Sequence, residues 1–165
     1  MILACFVLFA IGIAAVAWIT LRPRGERVGD LDLQAPLSTL QLDVPAPSAL
    51  NFRLEVTVGT SGPQTSSRAT RDAIYKRLGE SEITLSDAGP NGTALSTRCA
   101  AFDGKSTSAG SSSSEVSISG IPIACTLSTL APGRHVLTAK VVWAKDTEVR
   151  TATLEVRREP SSGSP

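Results

Sequence analysis

The sequence predicts an all-β fold, an antiparallel sandwich of about seven to nine short strands, preceded by one N-terminal transmembrane helix. Three observations predict it. Apolar residues alternate with polar ones in most of the chain after residue 50. Turn-forming residues separate these runs, as in DAGPNG at residues 87–92. Residues 1–21 carry no charged side chain, and as a helix they measure about 31 Å, enough to cross a bilayer core.

Trp18 sits near the C-terminal end of the apolar start, a side chain suited to the headgroup layer, and Arg22, Arg24 and Arg27 follow. An uncleaved anchor is the preferred reading. Ala15-Val16-Ala17 offers a signal-peptidase site, but the apolar run continues past it and no basic residue precedes it. Ile2-Leu3-Ala4-Cys5 imitates a lipobox without the apolar stretch such a signal needs. Ala10, Gly12 and Ala14 have helix-packing spacing, although small residues are common in any membrane helix. The three Arg favour a cytoplasmic domain. The Ser- and Thr-rich β pattern with paired cysteines favours an extracytoplasmic one, which is the reading preferred here.

Residues 22–45 hold Pro23, Pro36 and Pro45 and read as a stalk, with Leu40, Leu42 and Val44 as a first edge strand. Residues 46–158 form the sandwich domain and residues 159–165 a polar tail. Phe52, Leu54, Val56 and Val58 give the cleanest strand, polar on its other face. Residues 59–70 read as a loop. Residues 71–78 fit a strand; Ile74 and Leu78 also fit one helical face capped by Gly79. Strand is preferred because its surroundings are strand-like. Ile83 and Leu85 make a short strand, and Leu95, Thr97, Cys99 and Ala101 another. Residues 103–114 (DGKSTSAGSSSS) read as a polar loop. Val116 and Ile118 follow, then Ile123, Cys125 and Leu127. Residues 134–144 are apolar on both faces and read as a central strand. The last strand points Ala152, Leu154 and Val156 inward.

One segment carries a family resemblance. LAPGRHVL at residues 130–137, with Val141 beyond it, resembles the L-x-P-G-x-H-x-L start of a late strand in immunoglobulin-like and fibronectin type III-like modules. The resemblance implies an immunoglobulin-like sandwich whose last two strands form a hairpin closing at Val156. Those fibronectin modules favour a Tyr where Val136 stands, and no Trp lies between Cys99 and Cys125. The resemblance names no ligand.

Composition narrows function. The net charge is +1 and the basic residues form no stripe, so no nucleic-acid partner is expected. Only two Trp, one Tyr and four Phe are present, so the core rests on aliphatic residues. Cys99 and Cys125 lie on the apolar phase of their strands, and a disulfide between them is expected. His135 is the only histidine and fits the strand pattern better than a catalytic role. One His and two distant Cys do not make a metal site. Asp72, Glu80, Glu82 and Asp87 read as solvated acids. Gly104 and Gly110 lack the Lys-Ser/Thr of a phosphate loop. Asn91-Gly92-Thr93 is a glycosylation sequon.

No catalytic constellation and no cofactor are expected. The function expected is that of a non-enzymatic binding or adhesion module, tethered to the bilayer at the cell envelope and contacting a protein or glycan. The alternative is a structural or accessory subunit of a membrane complex, assembled through its helix.

Overall fold

Two antiparallel sheets carry most of the described backbone in the computed structural model. The structure describes residues 25–60, 68–90, 92, 94–99, 108–112, 114–125, 127 and 129–159. The segment expected to span the membrane, residues 1–21, and the tail beyond Glu159 lie outside them, as do Asn91 and Thr93 of the sequon. Among the described residues no helix is long and apolar enough to cross a membrane.

The first sheet joins β1 (Glu26–Asp32), β10 (Val149–Arg158), β3 (Ser48–Gly59), β7 (Glu115–Ile123) and β6 (Ser108–Ser111) in that order, with β8 (Thr129–Leu130) paired to the start of β3. The second has the order β2 (Ser38–Val44), β9 (Gly133–Val142), β4 (Glu82–Ala88) and β5 (Ala94–Cys99). Their inner faces share one core, in which Leu31, Leu54, Leu85, Val116, Leu137 and Leu154 are completely or almost completely buried.

β3 shows how the pattern produces the fold. Every second residue from Ser48 to Val58 is buried and the intervening ones are not, the period of a strand with one wet face. β7 needs one correction to the same rule. Val116 and Ile118 are three residues out of phase with Ile121 and Ile123, yet all four are buried. The register against β3 slips between Leu54 and Val56, and Gly120 takes φ 71° there. A bulge of this kind adds one residue and returns the next side chain to the core. The two apolar runs expected as separate pieces are therefore one strand.

Four further expectations are corrected. Residues 71–78 are not a strand; they belong to helix α1 (Arg68–Gly79), which buries Ile74 and Leu78 four residues apart. Gly79 ends that helix without a left-handed turn. The expected stalk is largely folded: the edge strand expected at Leu40, Leu42 and Val44 is β2, and a further strand, β1, lies before it and buries Leu31. The polar loop at residues 103–114 contains β6, which pairs with β7. The hairpin implied by the immunoglobulin-like resemblance is absent: β9 pairs with β2 and β4, while β10 pairs with β1 and β3. Residues 143–148 carry the chain from one sheet to the other. Immunoglobulin-type sandwiches keep their last two strands paired in one sheet.

β9 is central, as expected, but Val142 on its outer face is 60% exposed, so that face is not fully covered. Cys99 at the end of β5 and Cys125 just beyond β7 form a disulfide joining the two sheets, with Cα atoms 4.3 Å apart.

Candidate functional site

Three polar arrangements stand out, and only one of them is an open site. The first is buried. Asp87 on β4 and His135 on β9 are each 3% exposed. The register puts Asp87 opposite Leu137 and Ala88 opposite Val136, so the acid faces inward beside the ring. Nδ1 of His135 lies 2.8 and 3.0 Å from the two carboxylate oxygens, and Nε2 lies 2.8 Å from the carbonyl of Ala131. A carbonyl only accepts, so Nε2 donates to it, and Nδ1 shares a second hydrogen with the carboxylate. Neither ring nitrogen is left for a substrate. Asp87, expected as a solvated acid, is instead the partner that lets a histidine sit in the core.

The turn beside this pair is equally constrained. Gly133 has φ 133°, and a Cβ there would lie 2.8 Å from Pro90. The Pro132-Gly133 turn of the sequence motif therefore serves close packing of the loop before β9 on the loop after β4.

The second arrangement covers the outer face of the first sheet. Glu155 on β10 points outward yet is only 6% exposed, because Arg157 and Arg27 fold over it at 2.8 and 3.6 Å. Arg27 also pairs with Asp30. The hydrogen bond to Asp30 holds the Arg27 guanidinium above its ordinary range, and the bond to Glu155 does the same for Arg157. A raised arginine contributes stability that is present below its ordinary range and lost only as pH rises through the raised value. Neither group titrates at working pH.

The third is a pair of clefts at the end of the sandwich where residues 143–148 cross over. One, of about 570 Å³, is lined by Val58 at the end of β3, Thr60 just after it, Ala69, Ala73 and Arg77 on α1, and Thr147. Arg77 donates to the carbonyl of Asp146 at 2.8 Å, and Asp146 holds the left-handed φ 62°, uncommon for a residue with a side chain. The other cleft, of about 490 Å³, is lined by Leu33, Pro36, Lys140, Trp143, Val149 and again Thr147. Thr60 and Thr147 each bury a hydroxyl that has no hydrogen-bond partner in the structure. Unpaired buried hydroxyls are uncommon and costly. Asp146, Glu148 and Arg77 put two carboxylates and one guanidinium in the lining of the first cleft.

Of the residues singled out in the sequence, Cys99 and Cys125 are joined in the disulfide. Glu82 pairs with Arg98 at 2.8 Å, and Asp72 and Glu80 are exposed. Among the described residues no three His, Cys, Asp or Glu side chains gather to hold a metal. The cleft residues were not singled out, because they come from four separate segments that share no motif.

No known protein family matches the chain, and no curated protein matches it. A solved structure of a protein from Sulfurospirillum deleyianum is 10% identical over 78% of this chain and 95% of its own, with a TM-score of 0.29. A likeness this remote lends neither fold nor function.

Proposed function

We propose that the protein is a membrane-tethered sandwich module, extracytoplasmic and non-enzymatic, that binds a protein or glycan through the crossover end. The observation that carries this reading is the placing of the clefts relative to the N-terminus. β10 runs from Val149, beside the clefts, to Arg158, which pairs with Glu26 where the chain comes in. Ten residues of strand cover roughly 30 Å. With residues 1–21 as the span, only residues 22–25 separate it from β1, at most about 14 Å of chain. The Gly25 end then sits at the membrane and the clefts project away from it. The disulfide favours an oxidising compartment over the cytoplasmic side that Arg22, Arg24 and Arg27 suggest. The immunoglobulin-like resemblance extends to the sandwich architecture and stops at the pairing of β9 and β10.

The same short connection would hold the domain close to its helix, which favours the rival reading of an accessory subunit assembled through the membrane. Proximity labelling of the full chain in its own membrane separates the two. Ala73→Arg, at an exposed helix position in the cleft, should lose the neighbours of the native chain. Replacing residues 1–21 with an unrelated span should keep them. The opposite pattern would overturn the binding reading in favour of the subunit.

A further inference from the structure

The two clefts at the crossover end share Thr147 in their linings, so they adjoin. Their chemistries differ. The cleft beside the turn after β1 has an apolar floor, because Leu33, Val141 and Val149 belong to the core or pack on it. Trp143, the one tryptophan among the described residues, is half-buried there, packed on the core and lining the cleft. Gln34 and Lys140, both exposed, complete the lining with polar groups. The cleft beside α1 adds Asp146, Glu148 and Arg77.

Both sides of the Trp143 cleft are pinned by hydrogen bonds. The Leu33 amide donates to the carbonyl of Ala152 at 2.9 Å, and the Gln34 amide donates to the Asp32 carboxylate at 2.9 Å. The Gln34 side chain also donates to the carbonyl of Arg150. Opposite, the Ala144 amide donates to the Ser81 hydroxyl at 3.0 Å, and the Val149 amide donates to the carbonyl of Thr147 at 3.2 Å. A site held in this way is formed before a ligand arrives, which lowers the ordering cost of binding.

The lining selects the ligand. The face of an indole is electron-rich, and it attracts the slightly positive C–H face of a pyranose ring. That face is flattest where every ring substituent is equatorial. The hydroxyls around the rim both donate and accept. They can donate to Asp146 and to Glu148, which also pairs with Arg150, and accept from Lys140 and Arg77. Such charge-assisted bonds are the stronger kind. A protein partner is held chiefly by buried apolar and aromatic anchors. Leu37 and Val142, the exposed aliphatic side chains next to Pro36 and Trp143, line neither cleft.

We propose that the crossover end is a carbohydrate site for a linear chain of all-equatorial pyranoses, with one ring stacked on Trp143 and its neighbour hydrogen-bonded by Asp146 and Arg77. This rests on the reading that the crossover end binds a partner, and it chooses the glycan over the protein.

The test uses the full chain in lipid nanodiscs, which carry no sugar headgroup, with cellotetraose and chitotetraose as probes. Saturation-transfer NMR observed on the sugar reads the contact, and at least one probe should show transfer centred on its ring C–H protons. Trp143→Ala should weaken binding about tenfold, and Trp143→Phe much less. Lys140→Ala, at an exposed position, should weaken it about threefold. Ala73→Arg, which fills the adjoining cleft from an exposed helix position, should weaken it as well. Thermal melts show which variants are folded; where Trp143→Ala is not, Lys140→Ala and Ala73→Arg carry the test. Saturation transfer that is the same in every folded variant overturns the proposal, because the sugar then binds elsewhere. Absence of transfer from both probes also overturns it. If Ala73→Arg still loses the native neighbours in proximity labelling, the glycan alone falls and the binding reading stands; if the neighbours are unchanged, both fall.

Discussion

Asp87 and His135 meet across 48 residues of sequence, and their contact at 2.8 Å ties β4 to β9 inside the core. Breaking such a pair leaves a polar group buried and alone. Asp87→Ala and His135→Ala should each cost about 3 to 5 kcal/mol. The double change Asp87→Leu with His135→Phe should cost less than either, since neither member of the buried pair is left stranded and the Ala131 carbonyl that loses its donor belongs to an exposed residue. Urea unfolding of the four proteins measures this. Additive losses would mean that the two side chains act separately.

The disulfide closes a loop with a sequence separation of 26. Chain entropy assigns such a loop about 3.5 kcal/mol. Cys99→Ser with Cys125→Ser should lower stability by roughly that amount, and reduction of the native chain should match it. Finding both thiols free in protein from its native compartment would remove the bridge and argue for a cytoplasmic domain.

Two glycines should respond oppositely to alanine. Gly133→Ala forces a side chain into φ 133° and toward Pro90, and should destabilise by about 1 to 3 kcal/mol. Gly79→Ala meets nothing within 4 Å at the end of α1, and should stabilise by about 0.4 to 1 kcal/mol. Thermal melts of the two variants provide the comparison.

The folded unit begins before Glu26. A chain starting at Gly25 should be soluble and cooperatively folded. One starting at Ala46 loses β1 and β2, with Leu31, Leu33, Leu42 and Val44 from the core, and should not fold. The full chain should stay with membranes through alkaline carbonate. Circular dichroism and fractionation read the outcomes, and a freely soluble full chain would refute the anchor.

Much of the sandwich was legible because a half-buried strand must alternate. β3, β4 and β10 were readable on that ground alone, and β9 as a run apolar on both faces. β1 was not, since only Leu31 is buried in it and the bulge at Gly29 breaks its period. α1 was misread because Ile74 and Leu78 satisfy period two and period 3.6 equally, and two buried residues do not separate them. The resemblance at residues 130–137 pointed to a sandwich but could not reveal which sheet receives β10. That depends on residues 143–148, whose sequence reads simply as a turn. Asp87 was taken as solvated because it was read into the turn at residues 87–92, whereas β4 runs on through Ala88 and keeps Asp87 in phase with Ile83 and Leu85. The clefts were illegible for a different reason: Thr60, Ala73 and Thr147 are ordinary residues until the crossover brings them together.

The position of β10 fixes when this domain can exist. Among the described residues β1 pairs in its sheet with β10 alone, and β10 is the strand between β1 and β3. During synthesis β1 is among the first elements made, yet it must wait for residues 149–158. Closing so long a loop is slow, and the waiting chain displays apolar strands with open edges. The first sheet is therefore completed only once residues 149–158 have been made, and until then β1 and β3 each lack the strand that joins them.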